Sequence, residues 1–291
     1  MRKILSALLF LVTFPFRFIL WLLSTKELKA AFVADAEEDT PLPDVVSKVI
    51  ENPIGVLEQL NELRKHLVRM VVFLGLAALL SLTFNHQILE ILAMPLEGGM
   101  KSLVAIDPTE PIGTVMRVAL LTGFVVSFPY LFYQVWLFIA PAIIDRRNRL
   151  YGFMAIPIAT LFFLGGMAFA FYIMMPAALP FLLNFAGITT IPRPSSYITF
   201  VTGLLFWIGI AFEFPLVIYV LARVGLVKAN LLREQWRVAI VIIAIAAAMI
   251  TPTIDPINMG LVMGPMILLY FLSVFLASIA QRSRERASAR K

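Results

Sequence analysis

Glu213 is a carboxylate inside an apolar run, Tyr197 to Ala222, that is long enough to cross a bilayer. An ionised acid at that depth costs about 2.5 kcal/mol or more on insertion scales, so its presence points to a function. It stands in the string Gly209-Ile210-Ala211-Phe212-Glu213-Phe214-Pro215, where the proline should weaken the helix just beyond it. Two roles suit such a group. One is a water-accessible carboxylate in a cavity, meeting a docking or passing polypeptide. The other is a structural acid hydrogen-bonded within a bundle.

Three further strings carry polar groups in apolar surroundings. Gln59-Leu60-Asn61-Glu62-Leu63-Arg64-Lys65 offers Glu62 and Arg64 to a charged ligand, although its spacing also suits a solvated amphipathic face. In Pro129-Tyr130-Leu131-Phe132-Tyr133-Gln134-Val135-Trp136-Leu137-Phe138-Ile139-Ala140-Pro141, two prolines bracket an aromatic cluster around Gln134. Aromatics at headgroup depth form an interfacial belt, whereas a glutamine between helix-interrupting prolines suggests a shaped surface. Thr251-Pro252-Thr253-Ile254-Asp255-Pro256-Ile257-Asn258 reads as a rigid turn in which Asp255 caps the next helix.

Catalytic signatures are missing: there is no phosphate-cradling glycine loop, no Gly-x-Ser-x-Gly and no His-Glu-x-x-His. The chain has no cysteine, and its two histidines, His66 and His86, are too few for a histidine-built metal centre. No enzyme activity, cofactor or metal is expected.

The elements that must position these residues are membrane helices. The chain is 60% hydrophobic and 14% charged, the balance of a polytopic membrane protein. Six spans emerge, roughly Leu67–Thr83, Ile112–Tyr133, Tyr151–Met175, Tyr197–Ala222, Val238–Ile250 and Met259–Ala280. The fifth is short: its 13 residues rise only ~20 Å against a hydrocarbon core of ~30 Å. Leu57, Leu60, Leu63 and Leu67 predict a short amphipathic surface helix before the first span.

Basic residues alternate with the spans. Arg64, Lys65 and Arg69 precede the first, and Arg146, Arg147 and Arg149 follow the second. Arg223, Lys228, Arg233 and Arg237 follow the fourth, and Arg282, Arg284, Arg286, Arg290 and Lys291 end the chain. The positive-inside rule then places both ends of the core in the cytoplasm. The same rule accounts for the formal charge of +6 without nucleic acid. Four segments follow: an apolar extension (residues 1–33), an acidic cytoplasmic linker (34–53), the six-span core (54–280) and a basic tail (281–291). Pro15 and Arg17 interrupt the apolar extension, which favours an interfacial or re-entrant helix over a seventh span.

Taken in this order, the strings resemble those of the TatC family, the multispanning core of the twin-arginine protein translocase. Gln59 to Arg64 match a His-Leu-x-Glu-Leu-Arg pattern in all but its first residue, and Pro129 to Pro141 match a Pro-x-x-x-x-Gln-x-Trp-x-Phe-x-x-Pro string. Phe212 to Pro215 match Phe-Glu-x-Pro, and Thr251 to Asp255 match a Thr-Pro-x-Asp turn with one extra residue. The resemblance implies an all-α, concave six-span bundle that binds twin-arginine signal peptides from the cytoplasm. It further implies assembly with single-span TatA and TatB helices in a homo-oligomeric complex, with export of folded proteins driven by the proton-motive force. On this pattern Glu62, Arg64 and Phe138, with Asp145 and Arg149 of the first cytoplasmic loop, would bind the signal. Glu213 and Gln134 would be the intramembrane polar residues where partner helices dock, and Pro95 and Asp255 would lie in functional outer-side turns.

The chain also departs from the pattern. Gln59 replaces a histidine, Met259 a glutamine and Phe271 a glutamate; the glutamate expected in the first cytoplasmic loop falls at Arg147. An arginine there repels a twin-arginine motif, which makes a divergent paralogue with altered signal recognition the alternative within the family. Outside it, the alternatives are a small-solute or ion carrier using Glu213 and a structural membrane protein.

Overall fold

A computed structural model describes residues 53–140, 146–184, 190–224, 227–251 and 256–288. The expected amino-terminal helix and acidic linker, Asp145 and Asp255 lie outside these residues. The described chain is helical: α1 (Pro53–Ser81), α2 (Asn85–Ala93), α3 (Glu110–Ile139), α4 (Arg146–Phe169), α5 (Met175–Leu183), α6 (Pro194–Val224), α7 (Ala229–Glu234), α8 (Trp236–Ile250) and α9 (Pro256–Ser288). Five stretches are long and apolar enough to cross a membrane, and α8 is a shorter apolar helix. That short helix occupies the stretch expected as the fifth span, starting two residues earlier.

Several boundaries differ from the sequence reading, each for a local reason. The amphipathic helix and the first span form one helix, α1, because nothing between Leu63 and Val71 breaks it. Pro129 and Pro215 do not interrupt α3 and α6 but lie within them. Membrane helices tolerate proline because neighbouring groups meet the backbone it frees. The third span ends in a π-helical turn, Ala170–Met174, before α5. Pro176 lacks an amide and its ring would crowd the carbonyl four residues back, so the widened turn relieves that clash. Helix α9 continues past Ala280 to Ser288.

The described residues form two compact units. One holds α1 up to Leu76 together with Ser127–Ile156 of α3 and α4. Its core is Trp136, Leu137, Ala140 and Ile156, with Phe132 and Tyr133 packed alongside. The other holds Ala77–Val126 and the described chain from Pro157 onward. Its core is organised by one stripe of α6, in which Ile198, Val201, Leu204, Leu205 and Ile208 recur at helical spacing and are almost wholly buried.

In this second unit the acid-bearing ends of the helices are tied together by polar contacts. The Tyr197 hydroxyl donates to the Leu92 carbonyl at 2.7 Å, the Val104 amide to the Pro192 carbonyl at 3.3 Å, and Arg193 lies 3.9 Å from Glu110. Pro95 occupies the turn after α2, which closes through Gly98 at a φ of 92° that a side-chain-bearing residue rarely adopts. Exposed Asp107 accepts from the Thr109 amide and hydroxyl, which holds its carboxyl below the usual range.

Apolar burial cannot by itself join helices in lipid, so close packing of small residues does that work. A Cβ added at Gly209 would lie 2.6 Å from the Phe163 ring, and one at Gly166 would lie 2.8 Å from Phe212. The glycines of α4 and α6 therefore each admit a phenylalanine of the other helix. Gly166→Val or Gly209→Val should cost about 1–3 kcal/mol through overpacking. The expected readout is a lower thermal-unfolding midpoint in detergent. Gly165→Ala should leave it unchanged, since a Cβ there meets nothing.

Candidate functional site

In the first unit, α1 and α3 meet along matched stripes. Glu62, His66, Arg69 and Phe73 recur at three- and four-residue spacings on α1, as Tyr130, Gln134 and Phe138 do on α3. Phe73 packs on Tyr130 at 4.3 Å between ring centroids. One turn or more further on, His66 Nδ1 lies 2.7 Å from the Gln134 side-chain oxygen, and its ring meets Phe138 edge-on at 6.2 Å. Numbers fall along α1 as they rise along α3, so the pair is antiparallel. Glu62 lies one turn, ~6 Å, past His66, at the same end as Phe138.

Gln134 is fully buried. Its oxygen accepts from His66, which places the proton on Nδ1, and its amide nitrogen donates to the Tyr130 hydroxyl at 2.6 Å. Both ends of the amide are thus committed inside the protein. That arrangement fixes the register of α1 on α3 and leaves Gln134 no surface for a partner. At the rim, Glu62, Arg64 and Lys65 are exposed, and Phe138 remains 38% exposed. An exposed acid beside a half-exposed aromatic can take a guanidinium together with an apolar stem.

A second face of α3 holds α4. Trp136 is buried, stacks with Tyr133 and meets Phe153 edge-on at 5.4 Å. Gly152 gives it room, because a Cβ there would come within 2.9 Å of the indole. Helix α4 therefore begins beside the end of α3, with Arg146, Arg147 and Arg149 in its opening turns and no acid in the first. The side chains of Arg147, Arg149 and Gln59 lie outside the described residues.

Glu213 belongs to the second unit and is only 6% exposed. Both carboxyl oxygens are enclosed and neither meets a hydrogen-bond donor among the described residues. Its surroundings are the Gly209–Phe163 contact and the Phe212–Phe169 pair, with ring centroids 5.6 Å apart. The expectation of a water-accessible carboxylate is not met in this conformation, and nor is that of a hydrogen-bonded structural acid. The two phenylalanine–glycine contacts close the helices around it. Of the departures, Phe271 is half exposed on α9, while Met259 packs against the core.

Sequence reasoning missed His66, weighing it only as a metal ligand, and with it Tyr130. The four-residue spacing of Glu62 to His66, and of Tyr130, Gln134 and Phe138, carried the signal. No cluster of three His, Asp or Glu that could hold a metal occurs among the described residues.

Residues 58–265 match the family model for the Sec-independent protein translocase protein TatC. A Sec-independent protein translocase protein TatC of Koribacter versatilis is 34% identical over 244 residues, covering 80% of this chain and 88% of that protein. One from Deinococcus radiodurans is 33% identical over 250 residues, covering 83% of this chain and 92% of the relative. A crystal structure of the twin arginine translocase receptor TatC superposes with a TM-score of 0.69 at 32% identity. It covers 76% of this chain and 99% of the other.

Gln134→Leu should strand the His66 Nδ1 donor and the Tyr130 hydroxyl, costing about 1–3 kcal/mol. The midpoint of thermal unfolding in detergent should fall. Gln134→Glu, which keeps the acceptor, should recover part of the loss. Equal stability of wild type and the Leu variant would show that the buried amide does not join these helices.

Proposed function

Because the chain belongs to the TatC family of Sec-independent protein translocase proteins, we propose that it is the signal-binding receptor subunit of a twin-arginine translocase. The observation that carries this reading is the rim of the first unit. There the buried His66–Gln134–Tyr130 contacts set Glu62 and Phe138 at one end of two locked helices. A carboxylate bonds a guanidinium in a bidentate, directional way, and a rigid support lowers the entropy lost on binding. Glu62 takes an arginine of the signal, and Phe138 packs against its apolar stem. Arg64, Asp145 and Arg149 shape the charge around them.

This reading makes the protein a transport subunit of the inner membrane rather than an enzyme. With α8 as a sixth crossing, the basic ends of the helices lie in the cytoplasm, and the turns at Pro95 and Asp255 lie outside. Transport runs on the proton-motive force, in an oligomer with TatA- and TatB-like single-span helices. Glu213 is their docking contact. A buried carboxyl without a donor is costly, so a partner helix that brings one gains more there than it would in water. Gln134 serves at one remove, holding α1 on α3.

Photocrosslinking a twin-arginine precursor from positions beside Glu62 and Phe138 should capture the signal, and changing both signal arginines to lysine should abolish capture. Glu62→Gln should weaken binding about tenfold, or ~1.4 kcal/mol. Arg147→Glu should strengthen it by a similar factor. Capture that survives the lysine change would show that the rim does not read the twin-arginine motif. A further expected outcome concerns Glu213→Ala, which should reduce co-purification of the single-span partners while precursor capture at the rim persists. Undiminished partner recovery and transport would remove Glu213 from docking.

A further inference from the structure

One end of the second unit gathers exposed cations around a short helix. The long apolar stretches of α6 and α9 close at Arg223 and Arg282, and the apolar helix α8 opens at Trp236. Helix α7 lies among these three boundaries. The Ala229 amide donates to the Gln281 side-chain oxygen at 3.2 Å, and the Tyr270 hydroxyl donates to the Leu232 carbonyl. Ala229 and Leu232 also pack with Ile218 and Ala222 of α6 and with Ala277 and Ala280 of α9. That seating leaves Leu231 and Arg233 exposed on the other side of α7.

Four exposed cations follow from this placement. Lys228 precedes α7, Arg233 lies within it, Arg237 is in the first turn of α8 and Arg282 follows Gln281. Because Ala229 is bonded to Gln281, their chain neighbours Lys228 and Arg282 come to the same place. The Gln235 amide bonds to the Leu231 carbonyl and the Ala239 amide to the Gln235 carbonyl, both at 3.0 Å, so helical spacing continues across the α7–α8 joint. Arg233 and Arg237, four residues apart, therefore stand on one face. Arg237 also lies over the Trp236 ring, 5.6 Å from its centroid, and that indole is partly exposed. Half-buried Arg223 adds positive charge behind the set.

Little negative charge answers it. Glu234 is the one carboxylate at this end of the unit among the described residues, and no ion pair joins it to any of the four. Glu110 and its neighbour Asp107 belong to the opposite end, where Arg193 meets Glu110 before α6 begins, and the Tyr197–Leu92 bond ties Glu90 and Glu97 there too. Glu213 lies ten residues before Arg223 on α6, ~15 Å along the axis. A guanidinium at a membrane boundary finds its best anion in a phosphate, which accepts two parallel bonds from it. Basic pockets between membrane helices hold anionic headgroups in this way. The apolar neighbours distinguish a lipid from a free ion. Exposed Leu231 and Trp236 flank the two arginines and offer surface to a glycerol backbone and acyl chain, which inorganic phosphate lacks.

We propose that Lys228, Arg233, Arg237 and Arg282 form a binding site for the phosphate headgroup of one anionic phospholipid, with its glycerol and upper acyl carbons against Leu231 and Trp236. The site is independent of the receptor reading and holds whichever face of the membrane this end meets. Bound there, the lipid ties the α7–α8 joint to the end of α9.

The test uses the full chain in a non-ionic detergent, with native mass spectrometry as lipid is added. One phosphatidylglycerol should be retained at a concentration about fivefold lower than phosphatidylcholine of the same chains. Arg233→Gln with Arg237→Gln should weaken that retention about fivefold, and Lys228→Gln with Arg282→Gln by a similar factor. Arg233→Lys with Arg237→Lys, which keeps the charge, should preserve most of it. Arg290→Gln with Lys291→Gln removes the same charge from the chain end and should change nothing. Retention that is equal for the two lipids, indifferent to both site pairs, or lost equally in the chain-end variant would overturn the site. Release of the lipid by millimolar inorganic phosphate would overturn the phospholipid as its occupant.

Discussion

Hydrocarbon offers neither a proton donor nor an acceptor, so every polar group carried into the apolar helices has to be met by another part of the chain. Most of the described polar side chains obey. Thr202 and Ser273 return their hydroxyls to carbonyls one turn earlier on their own helices. Ser81 and Asn85 reach across to the Ala119 and Val115 carbonyls of α3, and Tyr197 reaches the Leu92 carbonyl. Gln134 uses both ends of its amide at once. Each group that reaches another helix fixes that pair at one register, since a shift by one residue would strand it. Polar satisfaction, rather than apolar attraction, selects the arrangement.

Close approach of backbones follows from the same constraint. Lipid chains are as apolar as leucine, so helices gain by touching only where they fit more tightly than lipid fits them. The glycine contacts supply that fit. Gly123 lies so close to Ala78 that a Cβ would come within 2.6 Å of its backbone, and Gly152 leaves room for the Trp136 indole. Glu213 stands apart among the described residues, because both oxygens of its carboxyl are enclosed without a hydrogen-bond donor. Its neighbours pack well around an acid to which they offer no donor. In a water-soluble core such a group would count as a defect. On the docking role proposed above, the missing donor would come from a partner helix.

What was legible in the sequence divides along the same physical line. Run length and loop charge depend on one helix at a time, so the long spans and the short α8 could be read directly. Interruptions were harder. Pro129 and Pro215 look like breaks on an isolated helix, but neighbouring helices decide whether the chain bends there. The stripe before the first span looked like a separate element because its leucines are periodic, and periodicity says nothing about where a helix ends. Burial was the least legible property. Glu213 and Gln134 are each a lone polar residue in an apolar string, yet one is left without a donor and the other is fully committed. The difference lies in the facing helix, which no local pattern encodes. The motif strings named Gln134 on one side of such a contact but stopped at Lys65, one residue short of its partner His66.

The basic residues raise a conflict that the family's architecture has to resolve. Under the proposed orientation, arginines and lysines at the helix ends hold the spans in place, while the ligand proposed for that side is itself cationic. Charges farther apart than about 8–10 Å scarcely act on one another at physiological salt. Orientation is set by the sum of charges over whole loops, whereas recognition is set by the few groups within that distance of the ligand. One acid placed within hydrogen-bonding reach can therefore outweigh several bases a turn or two away, provided its position does not drift. The rigidity of the α1–α3 pair meets that condition for Glu62. The bond between His66 and Gln134 thus has an electrostatic consequence although neither residue need touch the ligand. On the receptor reading proposed above, it is this fixed reach that would let Glu62 meet a cationic peptide beside exposed Arg64 and Lys65.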